Sequence, residues 1–231
     1  AQLASLTDAQ VPKLTTTQVA ALVATQVAGL QTANLAALDS SQLRALSASV
    51  VAVLSTAQVA AITTDQVSKL TATQVQSFTA AQVSAMSGDQ LKELTTAQVA
   101  AMSATQVKAI ETADLAQLTT AQVQALSNAS VAAMSTAQVA ALTTAQTEKL
   151  TAAQVSALTN TQVTALTTAQ AGALTTAQTA VLSAIQIKAM ETADLAQLTG
   201  AKLQAMNVAA ISALSVGQIA ALGTEQTSNL T

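Results

Sequence analysis

The 231-residue chain has no cysteine, histidine, tryptophan or tyrosine, a single phenylalanine, Phe78, and a single proline, Pro12. Without imidazole or thiol, the chain lacks the usual general acid–base and thiolate nucleophile, and it has no Cys/His metal site. Without indole or phenol it offers no stacking platform for bases, and a net charge of −3 supplies no basic stripe, so nucleic acid is not an expected partner. Charged residues make up only 8% of the chain. Its apolar stretches are broken every few positions by Gln, Thr or Ser, and none approaches the ~20 residues that a spanning helix needs. No membrane span is expected, and no charged segment followed by an apolar stretch opens the chain as a secretory leader would. Six glycines and one proline are too few to punctuate a strand-and-turn repeat.

What the chain does have is a period of eight. A large apolar residue stands at Leu6, Leu14, Leu22 and every eighth position to Leu230, 29 positions in all. The substitutes for Leu are Ile62, Ile110, Phe78 and the five methionines, Met86, Met102, Met134, Met190 and Met206. Because every Met occupies this slot, the Met column reads as core packing rather than as a cofactor site. The octad is L-[ST]-x-x-Q-[VIL]-x-A, with Ser, Thr, Asp or Asn after the Leu in 24 of the 29 octads.

That order is the signature of a helix start. Ser/Thr at N-cap with Gln at N3 forms a capping box, and apolar residues at N′ and N4 form a hydrophobic staple. In Leu118-Thr119-Thr120-Ala121-Gln122-Val123, Thr119 caps, Gln122 reciprocates and Leu118 closes on Val123. The charges agree with this phase, since a helix favours acids in its first turn and bases near its end. Nine of eleven acids fall between N-cap and N3 (Asp8, Asp39, Asp65, Asp89, Glu111, Asp114, Glu191, Asp194, Glu225), and every base except Lys202 falls at N5 or N6.

A continuous helix is excluded because an eight-residue period drifts about 80° per repeat and builds no lasting apolar stripe. A strand is excluded because Leu and Val, five apart, would lie on opposite faces. Each octad is therefore expected to be one helix of about two turns, too short to be stable alone. The expected fold is an all-α solenoid or superhelix of about 28 such helices, one per octad, forming a single domain over residues 1–231. On a helical wheel the N4 Val and the next Leu make the core ridge, the small residues at N2 and N6 are expected to let neighbours approach, and N1 and N5 are expected to face water.

A longer period overlies the octads. Lys108-Ala-Ile-Glu111-Thr-Ala-Asp114-Leu returns as Lys188-Ala-Met-Glu191-Thr-Ala-Asp194-Leu, 80 residues on, with a fainter copy at Gln31-Thr-Ala-Asn34. The chain reads as a duplication of ten octads, approximately residues 28–107, 108–187 and a partial 188–231.

The octads, such as Leu-Thr-Thr-Ala-Gln-Val, resemble the Leu-Thr-x-x-Gln-Val tandem repeats in long, weakly charged segments of large bacterial secreted or cell-surface proteins. The resemblance covers the whole chain and brings no catalytic residues with it. It implies an extracellular or surface location and a structural role.

No catalytic, cofactor-binding or metal residue is assigned. The most site-like features are the exchanged boxes Glu111/Asp114 and Glu191/Asp194, whose carboxylates share a helix face and would meet half a hard-cation shell. They are read as variant caps aided by the helix dipole. The Thr array at N1 (Thr16, Thr56, Thr64, Thr96, Thr120, Thr136, Thr144, Thr168, Thr176) suggests an ordered hydroxyl surface of the kind that binds ice, but is read as a soluble uncharged face.

Pro12 at N5 should distort the first octad. Val23, Gln31 and Gly223 break the cap rule. Thr147, Ala171, Thr179 and Thr227 weaken the Val ridge and mark residues 147–179 as the softest stretch. Neither end has a polar capping repeat. The expected role is a non-enzymatic spacer or stalk flanked by further repeats of a parent protein. The alternatives are a subunit joining end to end into a filament or layer, and a protein- or surface-binding module.

Overall fold

The computed structural model describes Thr7 and residues 9–228; Leu6, Asp8 and Leu230 of the octad pattern lie outside the described residues. Within them the chain is all helical, with 27 α-helices from α1 (Thr16–Ala20) to α27 (Thr224–Ser228), one per octad. A 3₁₀ turn, Val11–Lys13, precedes α1. It occupies the octad that holds Pro12, as expected: the proline stands in the first positions of the turn, where its missing N–H costs nothing.

The helices are shorter than two turns, four to six α residues each. The reason lies at the C-terminal end, where the octad Leu leaves the helix in an extended conformation and its N–H returns to the Val carbonyl three residues back. Leu126, at φ −59° and ψ 139°, bonds Val123 in this way. This i to i−3 closure converts the last turn to 3₁₀ geometry.

At the other end the capping box forms as the octad predicts. In α14 (Thr120–Ala125) the Gln122 N–H donates to Thr119 Oγ1 at 3.2 Å, and the Thr119 N–H donates to Gln122 Oε1 at 2.8 Å. Two of the irregular caps keep half of the box, because the N–H of Val23 and of Gly223 still reach Gln26 Oε1 and Gln226 Oε1 at 3.0 and 2.7 Å.

The chain divides into two compact units, Ala1–Leu118 and Thr119–Thr231. In the first, each helix packs on the third helix after it, from α1 on α4 (Ser40–Ala45) to α10 (Gly88–Lys92) on α13 (Thr112–Leu115). In the second the same rule runs from α14 on α17 (Thr144–Lys149) to α24 (Gly200–Gln204) on α27. Each unit is thus wound as a helical solenoid. The N4 and octad-Leu residues form its core; Val99, Val123, Leu126 and Leu158, for example, are at most 4% exposed.

The wheel also misplaced one position. The N2 residues, such as Ala97 and Thr105, are exposed, and the N3 Gln is buried in their stead. Angular arithmetic explains this. N3 falls between N6 and the octad Leu, on the side facing the preceding turn of the winding.

The buried Gln carries a second set of bonds. Gln106 Nε2 donates to the carbonyls of Val75 and Phe78 at 2.8 Å, and Gln66, Gln74, Gln82, Gln90 and Gln98 reach the equivalent carbonyls 31 and 28 residues back. In the second unit Gln154, Gln162, Gln170, Gln178, Gln186 and Gln218 do the same. Each amide therefore caps the C-terminus of the helix four octads earlier, while its own helix packs on the one three octads earlier.

The polar residues on the Val ridge are accommodated without disruption. Thr147 and Thr179 are fully buried, with hydroxyls donating to Thr143 O and to Thr176 O at 3.0 and 3.1 Å.

Two predictions follow from this geometry. Gln106→Glu keeps the acceptor of its capping box but loses the amide hydrogens and places a charge against two carbonyls. It is expected to cost about 3–5 kcal/mol, whereas Gln76→Glu on the exposed face of the same unit should change stability by less than about 0.5 kcal/mol; urea unfolding followed by far-ultraviolet circular dichroism measures both. Gly172 lies inside α20 (Thr168–Ala173), and a Cβ there would meet only Gln197 Cβ, at 3.4 Å. Gly172→Ala should therefore stabilise by about 0.5–1 kcal/mol in the same assay.

Candidate functional site

Most of the polar chemistry in the described residues is spent on holding octads together. The exposed pair Lys149–Glu148, at 2.9 Å, joins adjacent residues on the surface and contributes little. No three acidic groups cluster as a metal centre among the described residues, and no described helix is long and apolar enough to cross a membrane. Of the N1 threonines, Thr120 is half-buried and the other eight are exposed. The neighbouring cap hydroxyls, such as those of Thr63, Thr95 and Thr143, are engaged with the N3 backbone.

The exchanged boxes behave differently from the rest. Glu111 and Glu191 occupy the N-cap, yet neither makes a side-chain cap bond. The two aspartates at N3 then diverge. Asp114 is half-buried and its Oδ1 lies 3.4 Å from the Gln117 amide nitrogen, which donates to it. Gly88, at N1 of α10, makes this possible: a Cβ on Gly88 would meet the Gln117 amide and, at 2.6 Å, Asp114 Oδ1. Eighty residues on, Thr168 stands where Gly88 stood, and it covers Asp194 instead of leaving space for a glutamine.

Asp194, in α23 (Thr192–Leu195), is 2% exposed, and its Oδ2 has no hydrogen-bond partner. Burial pushes its carboxyl above the usual aspartate range, a hydrogen bond from the Thr168 hydroxyl pulls it partly back, and the nearby Glu191 carboxylate pushes it up again. The first copy of this position, Asn34, is fully buried and uncharged.

Two other departures from Gln at N3 are compensated by a substitute donor. Lys202, the one base out of phase, sends Nζ to the Gly172 carbonyl at 2.6 Å. Where Ala210 replaces Gln, the cap residue Asn207 donates its amide to the Leu182 carbonyl at 3.0 Å, the carbonyl that a Gln at 210 would have reached.

Sequence reasoning assigned the N3 Gln to its own cap and missed its link to an earlier helix. A signal was present: a capping box accepts Glu or Gln, yet Gln holds N3 in 21 octads and Glu in none. The exclusion of Glu marks a position that must donate. The pairing of Asp194 with Thr168, 26 residues apart, had no such signal, because it depends on the winding.

Fold and polar network together define a helical tandem-repeat protein whose repeating unit is one capped helix. The sequence pattern of the ALTTAQ repeat matches residues 35–72, 107–144, 131–160, 187–224 and 201–231, more than half of the chain. The chain belongs to the ALTTAQ repeat family. No curated protein sequence matches it. The six residues of the family's name occur intact at Ala141–Gln146: the last α residue of one helix, its extended Leu, the cap Thr143, two exposed positions and the buried Gln146 that completes the capping box.

The raised Asp194 ionisation has a pH signature. In the unfolded chain an aspartate loses its proton near ~3.9, so between that value and the higher folded one the native state holds the extra proton. The penalty of the buried charge is full at neutral pH and is relieved as pH falls. In metal-free buffer Asp194→Gln should exceed the wild type by about 1–3 kcal/mol at pH 7, and urea titrations should show the gap narrowing as pH is lowered toward ~4.

Proposed function

We propose that the chain is a non-enzymatic structural spacer, a stalk segment of a large bacterial surface or secreted protein. The observation that carries this reading is the uniform link between turns: an amide at N3 bonding the carbonyls 31 and 28 residues back, repeated along both units. An interface that recurs in most octads lets length be set by repeat number with little redesign of contacts. The exposed face supports the reading from the other side. It changes in size and charge from octad to octad and presents no aromatic anchor of the kind that dominates binding sites. The side chains available supply no activated nucleophile or imidazole base.

The test is a change of length. Joining Val107 directly to Lys188 removes ten octads and keeps the octad register. The product is expected to unfold cooperatively, to keep the helical circular dichroism per residue, and to shrink in radius of gyration by small-angle scattering. An unfolded product would refute the modular spacer. Antibody raised against the octads should label intact producing cells or recover the chain from the medium; confinement to the cell interior would refute the surface assignment.

A further inference from the structure

In the octads around Asp194, the Gln amide fills a fixed place. Gln170, Gln178 and Gln186 donate to the carbonyls of Leu142, Leu150 and Leu158 at 2.6–2.8 Å, each 28 residues back, and to the carbonyls 31 residues back at 2.8–3.1 Å. By this register residue 194 faces the carbonyls of Leu166 and Val163, at the end of α19 (Asn160–Thr164). An aspartate there brings no hydrogens, and the Leu166 carbonyl receives none of the amide bonds of its counterparts. Asp194 is also one methylene shorter than Gln, a shortfall of about 1.5 Å. Taken along the line of the amide-to-carbonyl bond, this shortfall puts a carboxylate at residue 194 roughly 4–4.5 Å from the Leu166 oxygen. Two oxygens bound to one Ca²⁺ at about 2.3–2.6 Å each span distances of this order.

We propose that Asp194 Oδ2, the Thr168 hydroxyl oxygen and the carbonyls of Leu166 and Val163 form a Ca²⁺ site in the place that a Gln amide fills elsewhere in the winding. Asp194 is 2% exposed with Oδ2 unpartnered, so a buried anionic oxygen is already held against this place. Thr168 is exposed and forms its solvent side. Glu191, exposed and without a cap bond, stands close enough to push the Asp194 ionisation up, and provides a second carboxylate at the mouth. The donors are all oxygen, which selects a hard cation over Zn²⁺ or Cu²⁺. A site assembled from two backbone carbonyls, a hydroxyl and carboxylates on separate helices suits the adaptable coordination of Ca²⁺ better than the strict octahedron of Mg²⁺.

The duplicated copy serves as an internal comparison. At Asp114 the residue equivalent to Thr168 is Gly88, and the Gln117 amide has moved in to donate to the carboxylate. The same Glu-Thr-Ala-Asp sequence is closed there by the protein itself. The copy at Asn34 supplies an amide in place of a carboxylate.

The test is isothermal titration of CaCl₂ into the full chain, with thermal unfolding by circular dichroism in the presence and absence of CaCl₂. The expected result is one Ca²⁺ per chain with a Kd on the order of 10⁻⁴–10⁻³ M, a calcium-dependent rise in Tm, and roughly tenfold weaker response to MgCl₂. Asp194→Gln should abolish both binding and the Tm shift. Since Gln is the repeat's own residue, that loss will not come from failure to fold. Asp114→Gln should leave binding unchanged. Absence of any heat or Tm shift with the wild type at about 10 mM CaCl₂, or an Asp194→Gln variant that binds as the wild type does, would overturn the proposal.

Discussion

A side-chain amide at N3 serves two helices at once, and the winding depends on it. Its oxygen accepts the N–H of its own cap residue, and its nitrogen donates to the carbonyls that end a helix four octads earlier. The need for it comes from helix length. The first four N–H groups and last four carbonyls of any α-helix lack intrahelical partners, so a helix of four to six residues consists almost wholly of end groups. In a long helix capping adjusts stability by a fraction; here it decides whether the element exists. The cap hydroxyl takes the N3 N–H, the Gln oxygen takes the cap N–H, the 3₁₀ closure takes the Val carbonyl once, and the amide from a later octad takes that carbonyl again together with the Leu carbonyl.

This arrangement explains how a polar residue becomes part of the core. The Gln side chains are mostly 1–4% exposed, beside Val and Leu at similar values. An unpaired buried amide would be costly, but each has both ends bonded and sits against carbonyls that would be costly to bury alone. The amide also fixes register, since an octad slipped by one residue would carry its nitrogen past both acceptors. Burial of Val and Leu supplies attraction without direction, whereas the Gln bonds set which turn meets which. Low charge follows from the same design: the helices need dipoles matched at their ends, and a carboxylate in the N3 position repels the carbonyls the amide satisfies.

Much of this was legible in one sequence because capping is local. Thr119, Gln122, Leu118 and Val123 lie within six residues, and the box they form depends on nothing beyond the octad. The phasing of acids and bases, the distortion at Pro12 and the burial of the Leu and Val columns share that locality. What escaped was the part that depends on winding. Whether helix n meets helix n+2, n+3 or n+4 is set by small angles accumulated over several connections, and no residue records it. The N3 Gln therefore read only as part of its own cap, the N2 alanines as a contact, and Thr168 and Asp194 as unrelated, although the preference for Gln over Glu held half of the answer.

The duplicated segment shows how winding turns identical sequence into different chemistry. Glu-Thr-Ala-Asp occurs at 111–114 and at 191–194, with equal local propensity and equal charge. The difference lies in α10 and α20, where Gly88 opens space for Gln117 and Thr168 does not. A glycine three helices away decides whether one carboxylate receives an amide, and a threonine in its place decides that the other is sealed with an oxygen to spare. Lys202 and Asn207 make the complementary point: a lysine at N3 itself, and an asparagine at the N-cap of an octad whose N3 is Ala210, each serve a carbonyl that lost its Gln. In these two octads what is kept is the donor at the helix end rather than the residue that brings it, because another side chain can supply the bond. A position such as Asp194, where none does, is where the repeat acquires a property that its other octads lack.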